Sequence, residues 1–125
     1  LAFTTSIARA QIVAEQLPDS YPTKKIALDF RREFQKVNGS PTTYAFSAYS
    51  FDAWMVFVDA AERALKKGEP GTPAFRQALR DAIMSTKEVV GTHGVYNFKD
   101  GNLYGVDQRA RVIVKLDNGA WKLAQ

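Results

Sequence analysis

The chain has 125 residues, which fits one domain or a piece of one, and its 46% hydrophobic and 12% aromatic content excludes a disordered polymer. Cysteine is absent, which excludes disulfides and thiolate metal sites. The net charge of +4 comes from 17 basic residues scattered among 13 acidic ones; Lys24-Lys25, Arg31-Arg32 and Lys66-Lys67 sit beside Asp29, Glu33, Glu62 and Glu69, the pattern of solvated helix faces rather than of a nucleic-acid patch.

Leu1 to Thr5 is β-prone and short, and residues 6 to 17 read as mixed. Pro18-Asp19-Ser20-Tyr21-Pro22 is a turn and helix-start signal. Ile26, Ala27, Phe30, Phe34 and Val37 then recur at three- and four-residue steps, which predicts a first helix, with Gly39 as its left-handed C′ residue. Asn38-Gly39-Ser40 matches the glycosylation sequon, a pattern common by chance, and the stretch through Pro41 is a loop.

From about Thr43 to Lys67 the sequence predicts the longest helix. Phe46, Tyr49, Ala53, Phe57, Ala60 and Ala64 make one apolar stripe, and Phe51, Trp54, Val58, Ala61 and Leu65 a second. A helix so apolar around its circumference calls for cover on most sides, so Trp54 and Phe57 are expected to be buried. Gly68-Glu69-Pro70-Gly71 ends it. Thr72 is an N-cap for a third helix with Pro73 at its first position, and Phe75, Ala78, Leu79, Ala82 and Ile83 form its buried stripe, fading near Ser85-Thr86.

The remainder reads as β: a short strand over Gly94 to Phe98, a turn at Lys99-Asp100-Gly101-Asn102, a strand over Arg111 to Leu116, an Asn118-Gly119 hairpin turn and a partner strand from Ala120 to Leu123. No repeat stands out, and no apolar run approaches the ~20 residues of a membrane helix. The absence of a leader and the start at Leu1 favour a fragment of a longer protein.

Chemistry is sparse. His93 is the single histidine, with no acidic or histidine ligand three or four positions away, and in Gly91-Thr92-His93-Gly94 it reads as a loop residue bonded to backbone. Glu15, Asp52, Asp59 and Asp107 have no spacing that argues for an acid/base pair, and no phosphate-cradling glycine motif is present. An enzyme is therefore not expected, and no cofactor or metal. Aromatics at a helix start can line an apolar ligand pocket: Phe46 and Tyr49 fit a pocket wall or the core equally, whereas Phe51 and Trp54, further along, fit the core.

Several segments in order resemble one family. Val13 to Ser20, followed by the helix with Phe30, Phe34 and Gly39, resembles the return segment of Leu/Ile/Val-binding proteins. Pro41 to Ala53 is similar to that family's Ala-x-x-Tyr-Asp-Ala helix start, with Phe51 where tyrosine is common. Gly94-Val95-Tyr96-Asn97-Phe98 with Lys99-Asp100-Gly101 resembles its Gly-x-x-x-Phe-x-x-x-Gly strand and turn, and Val112 to Trp121 its terminal Asn-Gly-x-Trp hairpin.

The resemblance implies an α/β chain, the C-terminal portion of a type I periplasmic binding protein with three helices, short strands and a terminal β-hairpin. About residues 1–111 would be the late part of lobe one, and 112–125 the final hairpin near the hinge and lobe two. Two hinge crossings would lie near Phe3 to Ser6 and Arg111 to Val114. The implied role is the non-enzymatic, periplasmic or extracytoplasmic component of an ABC transporter, peripheral to the membrane, binding branched-chain amino acids or related solutes in an interlobe cleft and docking to a permease. The main gripping residues would lie before Leu1. Phe46 carries over by position as a ligand contact, Tyr49 is added as its neighbour on geometry, and Phe51 lacks the hydroxyl of the family's tyrosine. The isolated fragment would self-associate, through uncovered helices and through open edges of the strands near Phe3 and Val112. The alternatives are a ligand-sensing domain of the same fold in a regulator and, further off, a small basic nucleic-acid-binding module.

Overall fold

The computed structural model describes residues 5–41, 45–99 and 102–124. β1 (Thr5–Arg9) leads through two 3-10 turns, Ala10–Gln16, kinked at Val13, to α1 (Lys24–Asn38). Then come α2 (Ala45–Ala64), α3 (Pro73–Met84), and the short strands β2 (Val89–Val90) and β3 (Val95–Tyr96). A 3-10 turn at Gln108–Ala110 leads into β4 (Arg111–Asp117), which returns as β5 (Ala120–Leu123). One antiparallel sheet has the order β1-β4-β5; β2 and β3 pair antiparallel in a second.

The punctuation residues act as their chemistry requires. Gly39 takes φ +72° and its N–H closes α1 on the Gln35 carbonyl at 2.8 Å, a left-handed cap that a side chain would strain. Thr72 accepts the Phe75 N–H at 3.1 Å, with Pro73 opening α3. Asn118 and Gly119 both have positive φ, which turns β4 into β5.

Two regions hold the chain together. Around the sheet, Ala10, Val13, Ala14, Leu17, Ala27, Ala110 and Val114 are buried, and the Tyr21 hydroxyl donates to the Arg109 carbonyl at 2.7 Å across 88 residues. In the helical region α2 packs on α3 through Val56, Ala60, Ala64, Ala78 and Ala82. The rings of Phe30 and Phe51, 4.9 Å apart, join α1 to α2.

Three expectations need correction. Trp54 is 58% and Phe57 39% exposed, their rings stacked on each other 5.4 Å apart. The buried stripe is instead Ala48, Asp52, Val56, Ala60 and Ala64, spaced by four, because α3 and the segment following it cover α2 from one side only. Val37, in the last turn of α1, is exposed rather than part of that helix's buried face. The strand at Val112 is central, flanked by β1 and β5, so it has no open edge, and the outer edge of β5 is engaged by Gln16: its amide donates to the Trp121 carbonyl at 3.1 Å and accepts the Leu123 N–H at 2.8 Å. Of the β-prone run from Leu1 to Thr5 only Thr5 is described, and it opens β1; Leu1 to Thr4, Thr42 to Tyr44, Asp100-Gly101 and Gln125 fall outside the described residues.

The cap of α3 yields a measurable expectation. Thr72→Ala removes the acceptor for the Phe75 N–H and should lower stability to urea by about 1 kcal/mol. An unchanged unfolding midpoint would show that the cap contributes nothing.

Candidate functional site

Residues 49 to 57 of α2 carry Tyr49, Asp52, Ala53, Val56 and Phe57 toward the segment after β2. Tyr49, Asp52, Ala53, Val56 and Phe57, with Ile83 of α3, Tyr96 of β3, and Phe98, Leu103 and Tyr104 beyond it, line a mostly apolar groove of about 460 Å³. Asp52 stands at its buried end. Its Oδ1 accepts the Thr92 N–H at 2.6 Å; its Oδ2 accepts the His93 N–H at 2.9 Å and the Tyr96 hydroxyl at 2.8 Å, with His93 Nδ1 at 3.3 Å. His93 Nδ1 also lies 2.9 Å from the Thr92 hydroxyl.

Burial pushes the Asp52 carboxyl up, but the His93 ring, the Thr92 and His93 N–H groups and the Tyr96 hydroxyl outweigh it and hold the group below the ordinary carboxylate value. The loop must come close for this. A Cβ on Gly91 would stand 2.6 Å from Asp52 Cγ and 2.7 Å from the Tyr96 ring, so glycine is required by proximity. The Gly91 N–H closes the loop on the Gly94 carbonyl at 2.9 Å.

His93 is fully buried, and its ring stacks on Tyr49 with centroids 3.6 Å apart and planes at 11°. Its bonding partners are the Asp52 carboxylate and the Thr92 hydroxyl, not the backbone expected from the sequence; Nε2 has no hydrogen-bond partner. Thr92, His93 and Asp52 are not a nucleophile relay. In such a relay the hydroxyl and the acid meet opposite ring nitrogens, whereas here both meet Nδ1.

Of the two residues singled out by sequence, Tyr49 lines the groove and is half-buried. Phe46 is 77% exposed, its ring 6.3 Å from that of Tyr49, and it stands outside the groove wall. Sequence reasoning missed Asp52 and His93. A signal for Asp52 existed, a lone carboxylate in the four-residue spacing of Ala48, Val56, Ala60 and Ala64; none existed for His93, whose acidic partner is 41 residues away.

A polar recess of about 240 Å³ is lined in part by Glu88, Asn97, Asp107 and Arg109. Arg109 bonds both Glu88 oxygens at 3.0 Å and Asp107 at 2.8 Å. The guanidinium and the Asn97 amide pull the Glu88 carboxyl down to about 2. All three charges are satisfied within the cluster, so it acts as a clamp between the β2 and β4 regions. Among the described residues no group of three or more His, Cys, Asp or Glu side chains could hold a metal, and no helix is long and apolar enough to cross a membrane.

Comparison with known proteins supplies what the geometry alone does not. No family model matches the chain, and no curated protein does. Solved structures do. An extracellular ligand-binding receptor from Rhodopseudomonas palustris HaA2 superposes with TM-score 0.83 at 30% identity, over 97% of this chain and 34% of that one. A protein from Rhodopseudomonas palustris strain CGA009 superposes with TM-score 0.82 at 31% identity over the same shares. The chain is mixed α/β and has the fold of one part of such a receptor, spanning about a third of the length of the structures it matches.

Asp52 also makes acid stability readable. A carboxyl held below its unfolded value of 3.8 contributes stability that is complete above that value and is lost as pH falls through its folded value. Between pH 5 and 2, the urea midpoint of the wild type should therefore fall more steeply than that of Asp52→Asn. Parallel curves would show that the Asp52 charge is not what the loop depends on.

Proposed function

We propose that this chain is the C-terminal portion of an extracytoplasmic solute-binding protein of the type I periplasmic binding family. It would serve an ABC transporter, taking branched-chain amino acids or related small solutes in a cleft between two lobes and delivering them to a membrane permease. The observation that carries this reading is the superposition of 97% of the chain on an extracellular ligand-binding receptor at 30% identity. The antiparallel pairing of β1 with β4 supports the hinge assignment: Ser6 lies opposite Val114 and Arg9 opposite Arg111, so the two segments expected to cross between lobes run side by side. In this reading about residues 1–111 belong to lobe one and 112–125 to the closing hairpin. The protein binds rather than transforms its solute, in keeping with the Asp52–His93 arrangement, and Phe46 and Tyr49 contribute to the cleft.

The receptor expressed from its full reading frame should bind leucine, isoleucine or valine in isothermal titration. Phe46→Ala should weaken binding by roughly 1–3 kcal/mol, the worth of one apolar side chain, or about ten- to a hundredfold. Unchanged affinity with the fold intact would remove Phe46 from the cleft.

The 125 residues alone present Phe46, Trp54, Phe57 and Leu65 along one exposed face of α2. That face calls for cover, so the isolated chain should associate at micromolar concentration in sedimentation velocity. A stable monomer that binds leucine would overturn the lobe assignment.

A further inference from the structure

Tyr49 and Tyr96 stand on different elements, yet one carboxylate governs both. Tyr96 donates its hydroxyl to Asp52 Oδ2 at 2.8 Å. Tyr49 lies flat against His93, and His93 is gripped by Asp52 and Thr92. Asp52 is three residues beyond Tyr49 on α2, so the tyrosine and the anchor of its stacking partner share a helix face.

The grip holds the ring in either tautomer. Protonated at Nδ1, His93 donates toward Asp52 Oδ2 at 3.3 Å; unprotonated there, it accepts from the Thr92 hydroxyl at 2.9 Å. Turning the imidazole away would forfeit either bond inside a buried site, where an unmet polar group is costly. The imidazole plane is therefore fixed, and with it the plane against which Tyr49 stacks.

We propose that Asp52 and His93 are positioning residues for solute binding: they set the Tyr49 ring through stacking and the Tyr96 hydroxyl directly, and so hold the groove in its binding shape. The inference rests on the receptor reading given under the proposed function, in which Tyr49 meets the solute. His93 lies outside the groove lining, and Asp52, at the buried end of the groove, has both carboxylate oxygens already bonded to protein donors. The structural part of Asp52's role, its bonds to the Thr92 and His93 backbone N–H groups, is separable from this one. His93→Phe keeps a flat ring and that backbone bond but loses the Nδ1 tie, and Tyr96→Phe loses only the hydroxyl.

The test uses the receptor from its full reading frame, labelled with 3-fluorotyrosine, with the Tyr49 signal assigned by its loss in Tyr49→Phe. Binding of leucine, isoleucine or valine by the wild type is measured first, and its absence overturns the receptor reading and this inference together. Given binding, His93→Phe should shift the Tyr49 fluorine signal, and His93→Phe and Tyr96→Phe should each weaken affinity by roughly five- to tenfold, the net worth of one hydrogen bond. An unmoved Tyr49 signal in folded His93→Phe overturns the positioning role and leaves the receptor reading intact. A moved signal with unchanged affinity in both variants overturns the positioning role and removes Tyr49 from the cleft. Should His93→Phe fail to fold, the affinity of Tyr96→Phe decides, and wild-type affinity there overturns the proposal.

Discussion

The burial of Asp52 is the constraint from which the helical half of the molecule follows. A carboxylate out of water is costly unless each oxygen is met by donors. Here the donors come from a segment about forty residues away, so satisfying the charge fixes where that segment lies. Once Thr92 and His93 are bound, Gly91 must lack a side chain, His93 must lie under Tyr49, and Tyr96 must turn its hydroxyl inward. The groove between α2 and β3 is thus a by-product of solvating one charge with protein atoms.

The apolar residues divide in an unusual way. The buried set is dominated by alanine and valine, which lets α2 and α3 approach closely, while the large side chains Phe46, Trp54, Phe57 and Leu65 face outward on α2. Alanine-rich contacts bury little area per residue and so contribute modestly to stability. That asymmetry agrees with a unit that spans about a third of the receptors it resembles, and the unmet demand for burial falls on α2 and also on the sheet, where Ile113, Leu116 and Trp121 are exposed.

Local signals were legible in the sequence where local chemistry decides them. Gly39, Thr72-Pro73 and Asn118-Gly119 mark helix and hairpin ends because backbone geometry at those points depends on the residue itself. The three helices and the closing hairpin followed. What the sequence could not reveal was which stripe of α2 is covered, since periodicity defines faces but not the neighbours available to cover them. Trp54 and Phe57 were misplaced for that reason. The two-residue strand at Val89–Val90 was missed because it is too short for alternation to register. His93 was misjudged because its partner lies across the fold, and Phe46 and Tyr49 could not be told apart because both sit in the first turns of one helix.

The structure does separate those two. Tyr49 is held from one side by His93 and borders the groove, whereas Phe46 has the Tyr49 ring near its edge and solvent over most of its surface. A ring already fixed loses little rotamer freedom on contact with a solute; a free one must be ordered at that moment, which offsets part of what its burial contributes. Within the receptor reading, Tyr49 is then the pre-organised wall that discriminates solute shape, and Phe46 the adaptable one that adds apolar contact without dictating geometry. The difference traces to spacing on α2: position 49 lies one turn before the anchored carboxylate, and position 46 lies one turn further out, beyond its reach.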